Sequence, residues 1–278
     1  MMVRVVTEST ADIPLEIAAE LGITIVPSYV IFGSETYRDQ VELTKAQFYE
    51  KLETSTFIPT TATPPPAVYE ETYRRLSRET DEIVSIHLAA NLSGLHSAAA
   101  VAAKNVTEAR IAVIDSEQVT MGYGWMAIAA AEAARRGETL EQIVSLVEDT
   151  RDRSRLLAVL DTLEFVYRGG RVGWVQAMLG TFLRIKPLVE VRRGEVTLVE
   201  RARTRARSMD RLFALIQSLG PLERAIVLHT NAPDRAERLA TRLQAIMPDW
   251  KPLIGQAGVT IASHAGPGAV GVACVTAK

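Results

Sequence analysis

The stretch Ile83-Val84-Ser85-Ile86-His87-Leu88, followed by Ala89-Ala90-Asn91-Leu92-Ser93-Gly94 and then by an alanine-rich run, decides the fold class. The first part, mostly β-branched and apolar, reads as a buried strand. A polar break ending in serine and glycine then opens a helix over 94–105. The same order recurs on either side. A strand at 3–6 leads into Ser9-Thr10-Ala11-Asp12. There Asp12, ahead of Ile13-Pro14, reads as the N-cap of a short helix that runs to about Leu21 and closes on Gly22. Residues 23–32 are rich in strand formers, and 45–52 make a modest helix. A strand at 110–115 precedes helices over 120–136 and 139–154. Strands spaced by helices imply right-handed crossovers and a mostly parallel sheet with flanking helices.

The rhythm changes near residue 155. Strands at 157–160, 188–191 and 196–200 are followed by a helix over 204–218, a strand at 225–229 and a helix over 233–246. Three closing strands are expected near 251–256, 259–262 and 270–275. Arg192-Arg193-Gly194-Glu195 reads as a hairpin turn in which glycine supplies the positive φ. The expected class is therefore α/β in the N-terminal part, joined to an α+β domain with a mixed or antiparallel sheet. The division falls at 1–158 and 159–278, with a ligand cleft between the two. Pro64-Pro65-Pro66 is too short for a linker and is read as stiffening a loop.

Charge supports the division. Residues 1–155 carry 14 basic and 23 acidic side chains, whereas 156–278 carry 17 and 10. The basic half has few aromatic residues and no helix-turn-helix, which argues against a nucleic-acid partner. With 278 residues, 47% hydrophobic and 23% charged, the chain can bury a core without staples. A single cysteine, Cys274, excludes an intramolecular disulfide. No apolar run reaches the ~20 residues that span a bilayer, and the first residues read as a strand rather than a leader. A cytoplasmic protein is expected.

Small hydroxyl residues gather where strands end: Thr7, Ser9 and Thr10; Ser93 beside Gly94; Asp115-Ser116; and Thr60-Thr61-Ala62-Thr63 in a loop. Each alone reads as a helix cap, but on one sheet edge they would form a donor-rich rim suited to an anion. Gly122-Tyr123-Gly124-Trp125-Met126-Ala127 matches a dinucleotide fingerprint yet lies inside a helix, away from the end of its strand. Close helix packing is the better reading. The four histidines, His87, His96, His229 and His264, lack metal-ligand spacing. His264 lies in Ser263-His264-Ala265-Gly266-Pro267-Gly268, read as a turn between two strands. It is either a structural residue or a polar group aimed into a cleft. Ser93, His264 and Asp115 can be assembled on paper into a hydrolase or acyltransferase triad, without the strained elbow such serines need. Arg201, Arg203, Arg205 and Arg207 alternate, so on a strand they would share one face, solvated or docking an acidic partner or a phosphorylated ligand.

Taken in order, these segments resemble the DegV family of bacterial fatty-acid-binding proteins, the lipid-presenting subunits of fatty acid kinase. The resemblance rests on Thr7-Glu8-Ser9-Thr10-Ala11-Asp12, Tyr37-Arg38-Asp39, Thr60-Thr61, Leu92-Ser93-Gly94, Ile114-Asp115-Ser116 and Met121-Gly122. Arg168-Gly169-Gly170-Arg171, Ile185-Lys186-Pro187 and His264-Ala265-Gly266-Pro267-Gly268-Ala269 complete it. Glu8 stands where the family has Asp, Ala62-Thr63 where it has Ser-Gln, and Leu95-His96 where it has Thr-Tyr.

The resemblance implies a non-enzymatic carrier without cofactor or metal. One long-chain fatty acid would be buried between two domains and presented to a separate ATP-dependent kinase, in phospholipid metabolism, with room for transient membrane contact. It assigns the carboxylate to Thr61 and Ser93 beside Gly94, and places His264 near the head group. Arg171 falls at the head group and the kinase contact, and Arg203 at kinase docking. The alternatives are a serine hydrolase or acyltransferase using Ser93 and His264, or a pure interaction module.

Overall fold

The computed structural model describes residues 2–176, 185–247 and 253–278. Its N-terminal part runs β1 (Arg4–Glu8), α1 (Leu15–Leu21), β2 (Thr24–Val26), β3 (Tyr29–Phe32), β4 (Glu35–Arg38), α2 (Lys45–Thr54) and β5 (Thr60–Ala62). It continues with α3 (Pro66–Leu76), β6 (Glu82–His87), α4 (Leu95–Lys104), β7 (Arg110–Asp115), α5 (Met121–Arg135) and α6 (Leu140–Arg153). Strands β2-β1-β6-β7 form an all-parallel four-stranded sheet in that order. β6 is central, which is why its apolar run does not alternate: Ile83, Val84, Ser85 and Ile86 are all fully buried.

The second part runs β8 (Ser154–Val159), α7 (Glu164–Gly169), α8 (Gly173–Gln176), β9 (Lys186–Arg192), β10 (Glu195–Ala202) and α9 (Arg205–Ser218). It closes with β11 (Leu222–His229), α10 (Pro233–Ile246), β12 (Leu253–Gln256), α11 (Val259–Ala265) and β13 (Val270–Thr276). These strands make a six-stranded mixed sheet, β10-β9-β8-β13-β11-β12, antiparallel except for the β11–β12 pair. The 192–195 hairpin forms as expected, with Arg193 at φ 52° and Gly194 at φ 74°.

Helix α5 lies between the two sheets and touches both, so almost all its residues are buried. Trp125 Nε1 donates to the carbonyl of Ala273 in β13 at 3.1 Å. The fingerprint-like glycines serve this packing: a Cβ at Gly124 would stand 2.7 Å from the carbonyl oxygen of Ala11. No nucleotide loop is formed there.

Five local expectations are corrected. Residues 23–32 split at Pro27: β2 joins the parallel sheet, while β3 joins a separate three-stranded antiparallel sheet, β4-β3-β5. The triple proline does not stiffen a loop but starts α3, with Pro65 at the N-cap and Pro66 in the first turn. Asp12 is no N-cap. It has φ 55°, and its buried carboxylate accepts from Thr120 Oγ1 and from the Gly258 N–H, each at 2.6 Å. Residues 259–262 are helical because Val259 and Ala262, three apart, pack on Val30, Phe32 and Phe48, so burial overrides strand propensity. Finally, of the four alternating arginines only Arg201 lies in a strand; Arg203 is in the following turn, and Arg205 and Arg207 begin α9, so they share no strand face. The strand expected over 251–256 begins outside the described residues.

Candidate functional site

A cavity of about 230 Å³ opens beside the carboxyl end of the parallel sheet. Its apolar walls come from the loop after β6 (Leu88, Leu92), from the six-stranded sheet (Leu156, Val189, Val191) and from Ile261 on α11. Into it converge the polar residues Thr61, Ser93, His264 and Arg171, together with Gly94.

Each is placed by a local cause. Thr61 lies in β5, held by pairing with Val30 of β3. Ser93 and Gly94 end the loop after β6, whose course is fixed from below. The buried Glu8 carboxylate accepts the Leu88 N–H at 2.8 Å and contacts His87 Nδ1 at 2.6 Å, while Asp115 Oδ1 accepts from Ala90 N–H at 3.1 Å. Gly94 is the N-cap of α4; a Cβ there would approach Thr63 Oγ1 to 3.3 Å, so this turn abuts β5. His264 occupies the last turn of α11, not a turn between strands as expected. Gly169, ending α7, permits that contact, since a Cβ would stand 2.6 Å from His264 Nδ1.

Thr61 Oγ1 and His264 Nε2 share a hydrogen bond of 3.0 Å. Burial, and secondarily the positive charge of Arg171, push the His264 pKa down to about 4. The ring is therefore neutral near pH 7 and stands ready as a neutral hydrogen-bonding group. Arg171 is exposed, and its Nη1 donates to the Gly169 carbonyl at 2.5 Å, which bends the guanidinium back toward α7.

The triad drawn from sequence is not assembled. His264 is bonded to Thr61, and Asp115 Oδ1 is bonded to the backbone of Ala90 and Glu117. Of the hydroxyl clusters, Thr61, Thr63 and Ser93 line the cavity. Thr7 and Thr10 are instead sealed in the core, bonded to the Ile86 carbonyl and to Tyr123 and Glu8. Arg203 is exposed on the β10–α9 turn and does not line the cavity. Two polar lining residues escaped the sequence reading, Ser28 and Thr260. Thr260 lies four residues before His264, a spacing that would have exposed it had 259–265 been read as helix. Among the described residues no cluster of His, Cys, Asp or Glu could hold a metal ion, and no helix is long and apolar enough to cross a membrane.

The family model described as "Uncharacterised protein, DegV family" matches residues 2–277. A DegV domain-containing protein of Streptomyces coelicolor is 36% identical over 274 residues, covering 97% of each chain. Protein DegV of Bacillus subtilis is 33% identical over 276 residues, covering 98% of each. Two solved structures superpose on the whole fold. One is a Thermus thermophilus DegV family protein described by its fatty acid binding (TM-score 0.90, 32% identity, 100% of both chains). The other is Bacillus subtilis DegV, described as a fatty acid binding protein (TM-score 0.91, 32% identity, 99% of this chain and 100% of that one). Sequence motifs, sheet order and these matches agree, and the chain belongs to the DegV family.

Proposed function

We propose that this protein is a long-chain fatty acid carrier, burying the acyl chain between domains 1–158 and 159–278 and presenting the carboxylate to a separate ATP-dependent kinase. The observation that carries the reading is an apolar cavity lined by the bonded Thr61–His264 pair together with Ser93, Gly94 and exposed Arg171. In this reading the domain seam falls a few residues before 158, where α6 meets β8, because β8 pairs with β9 and β13 of the six-stranded sheet. About fourteen methylenes at ~0.8 kcal/mol each supply roughly 11 kcal/mol of gross driving force, partly offset by immobilisation. A carboxylate cannot be buried without donors. The Thr61 and Ser93 hydroxyls would supply them, neutral His264 would orient Thr61, and Arg171 would add positive field at the mouth.

The role is that of a non-enzymatic carrier in the cytoplasm, feeding acyl phosphate to phospholipid metabolism, with Arg171 and Arg203 on the kinase-facing side. Mass spectrometry of an organic extract of the purified protein tests the ligand. A stoichiometric long-chain fatty acid is expected, and an extract free of lipid after exposure to fatty acid would overturn the reading. ATP consumption by the purified protein alone, with fatty acid present, would overturn the division of labour.

A further inference from the structure

Ser28 and Thr260 are both deeply buried, at 2% and 8% exposure, and both line the cavity. Neither hydroxyl has a hydrogen-bond partner. Other described side chains with an unpartnered buried polar atom, such as Tyr49, Tyr69 and Gln118, do not line it. A buried hydroxyl without a partner is costly, and that cost persists against a methylene chain.

Thr260 lies on α11 with His264, and Ser28 lies just before β3, the strand that pairs with Thr61 on β5. Ser28 is two residues before Val30, so it shares the sheet face of Val30 and of its pairing partner Thr61. Its backbone is fixed on both sides: Ser28 N–H donates to Ser9 Oγ at 3.1 Å, and its carbonyl accepts from Asp39 N–H at 2.8 Å. Thr260 is one helical turn from His264 on α11. By exposure, the polar residues of the cavity run from exposed Arg171 through half-buried Thr61, Ser93 and His264 to buried Thr260 and Ser28.

Building on the fatty-acid reading, we infer that Ser28 and Thr260 form a second polar station that takes an oxygen on the second or third carbon of the acyl chain. The preferred ligands are then 2- or 3-hydroxylated fatty acids. A hydroxyl both donates and accepts, as do serine and threonine, so one ligand oxygen can serve both side chains after rotation about χ1. A phosphoryl group delivered from outside would lie at the Arg171 end, so an oxygen this far in belongs to the chain.

The test compares palmitic acid with 2- and 3-hydroxypalmitic acid on the delipidated full-length protein by calorimetric titration. The wild type is expected to bind one hydroxy acid roughly 2- to 12-fold more tightly, as one net hydrogen bond allows. Ser28→Ala and Thr260→Val should erase that ratio, and Thr260→Ser should retain it. Palmitate binding with no hydroxy preference, or a preference that survives both variants, overturns this inference alone. Failure of all three acids to bind overturns the fatty-acid reading with it.

Discussion

Thr61 and His264, 203 residues apart in the chain, are joined by a 3.0 Å hydrogen bond that ties β5 to the last turn of α11. The bond holds the threonine hydroxyl in place at the cavity wall. Thr61→Val keeps the shape and removes the hydroxyl. It should weaken fatty-acid binding by about 1.5–3 kcal/mol, the range for a hydrogen bond to a charged group. Calorimetric titration checks this, and an unchanged dissociation constant removes Thr61 from the head site.

Ser93→Ala should cost a similar amount, because Ser93 Oγ has only a long 3.4 Å bond from the Leu95 N–H to compete with a ligand. If both hydroxyls serve one carboxylate, the Thr61→Val/Ser93→Ala double variant will depart from additivity by about 0.5 kcal/mol or more. Strict additivity would place the two hydroxyls on separate groups.

Stability should depend on pH through His264. In the folded protein its ring takes a proton only near pH 4, against 6.5 for a free imidazole. Between those values the unfolded chain binds the extra proton, so stability falls as pH drops from 6.5 toward 4 and the contribution is complete above 6.5. The full span corresponds to roughly 3 kcal/mol. Urea unfolding at a series of pH values should show His264→Gln with a flatter acid limb; parallel curves for the two proteins would rule the assignment out.

Gly169→Ala introduces a Cβ 2.6 Å from His264 Nδ1. The ring must move or α7 must lift, and either disturbs the Thr61 bond. Fatty-acid affinity should fall at least tenfold, a loss of about 1.4 kcal/mol. Gly170→Ala, where open space surrounds the Cβ but φ is 68°, reports backbone strain without touching the histidine. Equal affinity losses in the two variants would deny Gly169 its special place.

Arg203→Ala should leave lipid binding unchanged, since the exposed side chain lies outside the cavity, and should slow kinase-dependent phosphorylation of the bound acid. A phosphorylation rate equal to that of the wild type would count against docking at this turn.

The parallel sheet was legible because β6 and β7 announce themselves as apolar runs and each is followed by a helix. The small sheet was legible only in part: β3 falls inside the strand-rich run 23–32, but β5 is three residues long in a stretch read as a loop, and its pairing with β3 about 30 residues earlier makes it a strand. Thr61, Ser93 and His264 were found through ordered motifs, whereas Ser28 and Thr260 belong to no motif and depended on knowing what packs against α11. Asp12 looked like a cap because caps and buried acceptors use the same side chain. The arrival of Thr120 and Gly258, 108 and 246 residues away, distinguishes them.

The separation of Thr61 from His264 also has a consequence in time. At about 5–20 residues per second, a ribosome places roughly 10–40 s between making the two. Throughout that interval the nascent chain exposes greasy walls with no finished seat for an acid group. If the protein carries a fatty acid as proposed, loading has to wait until α11 is made, and a ribosome stalled before it should yield chains that bind no fatty acid.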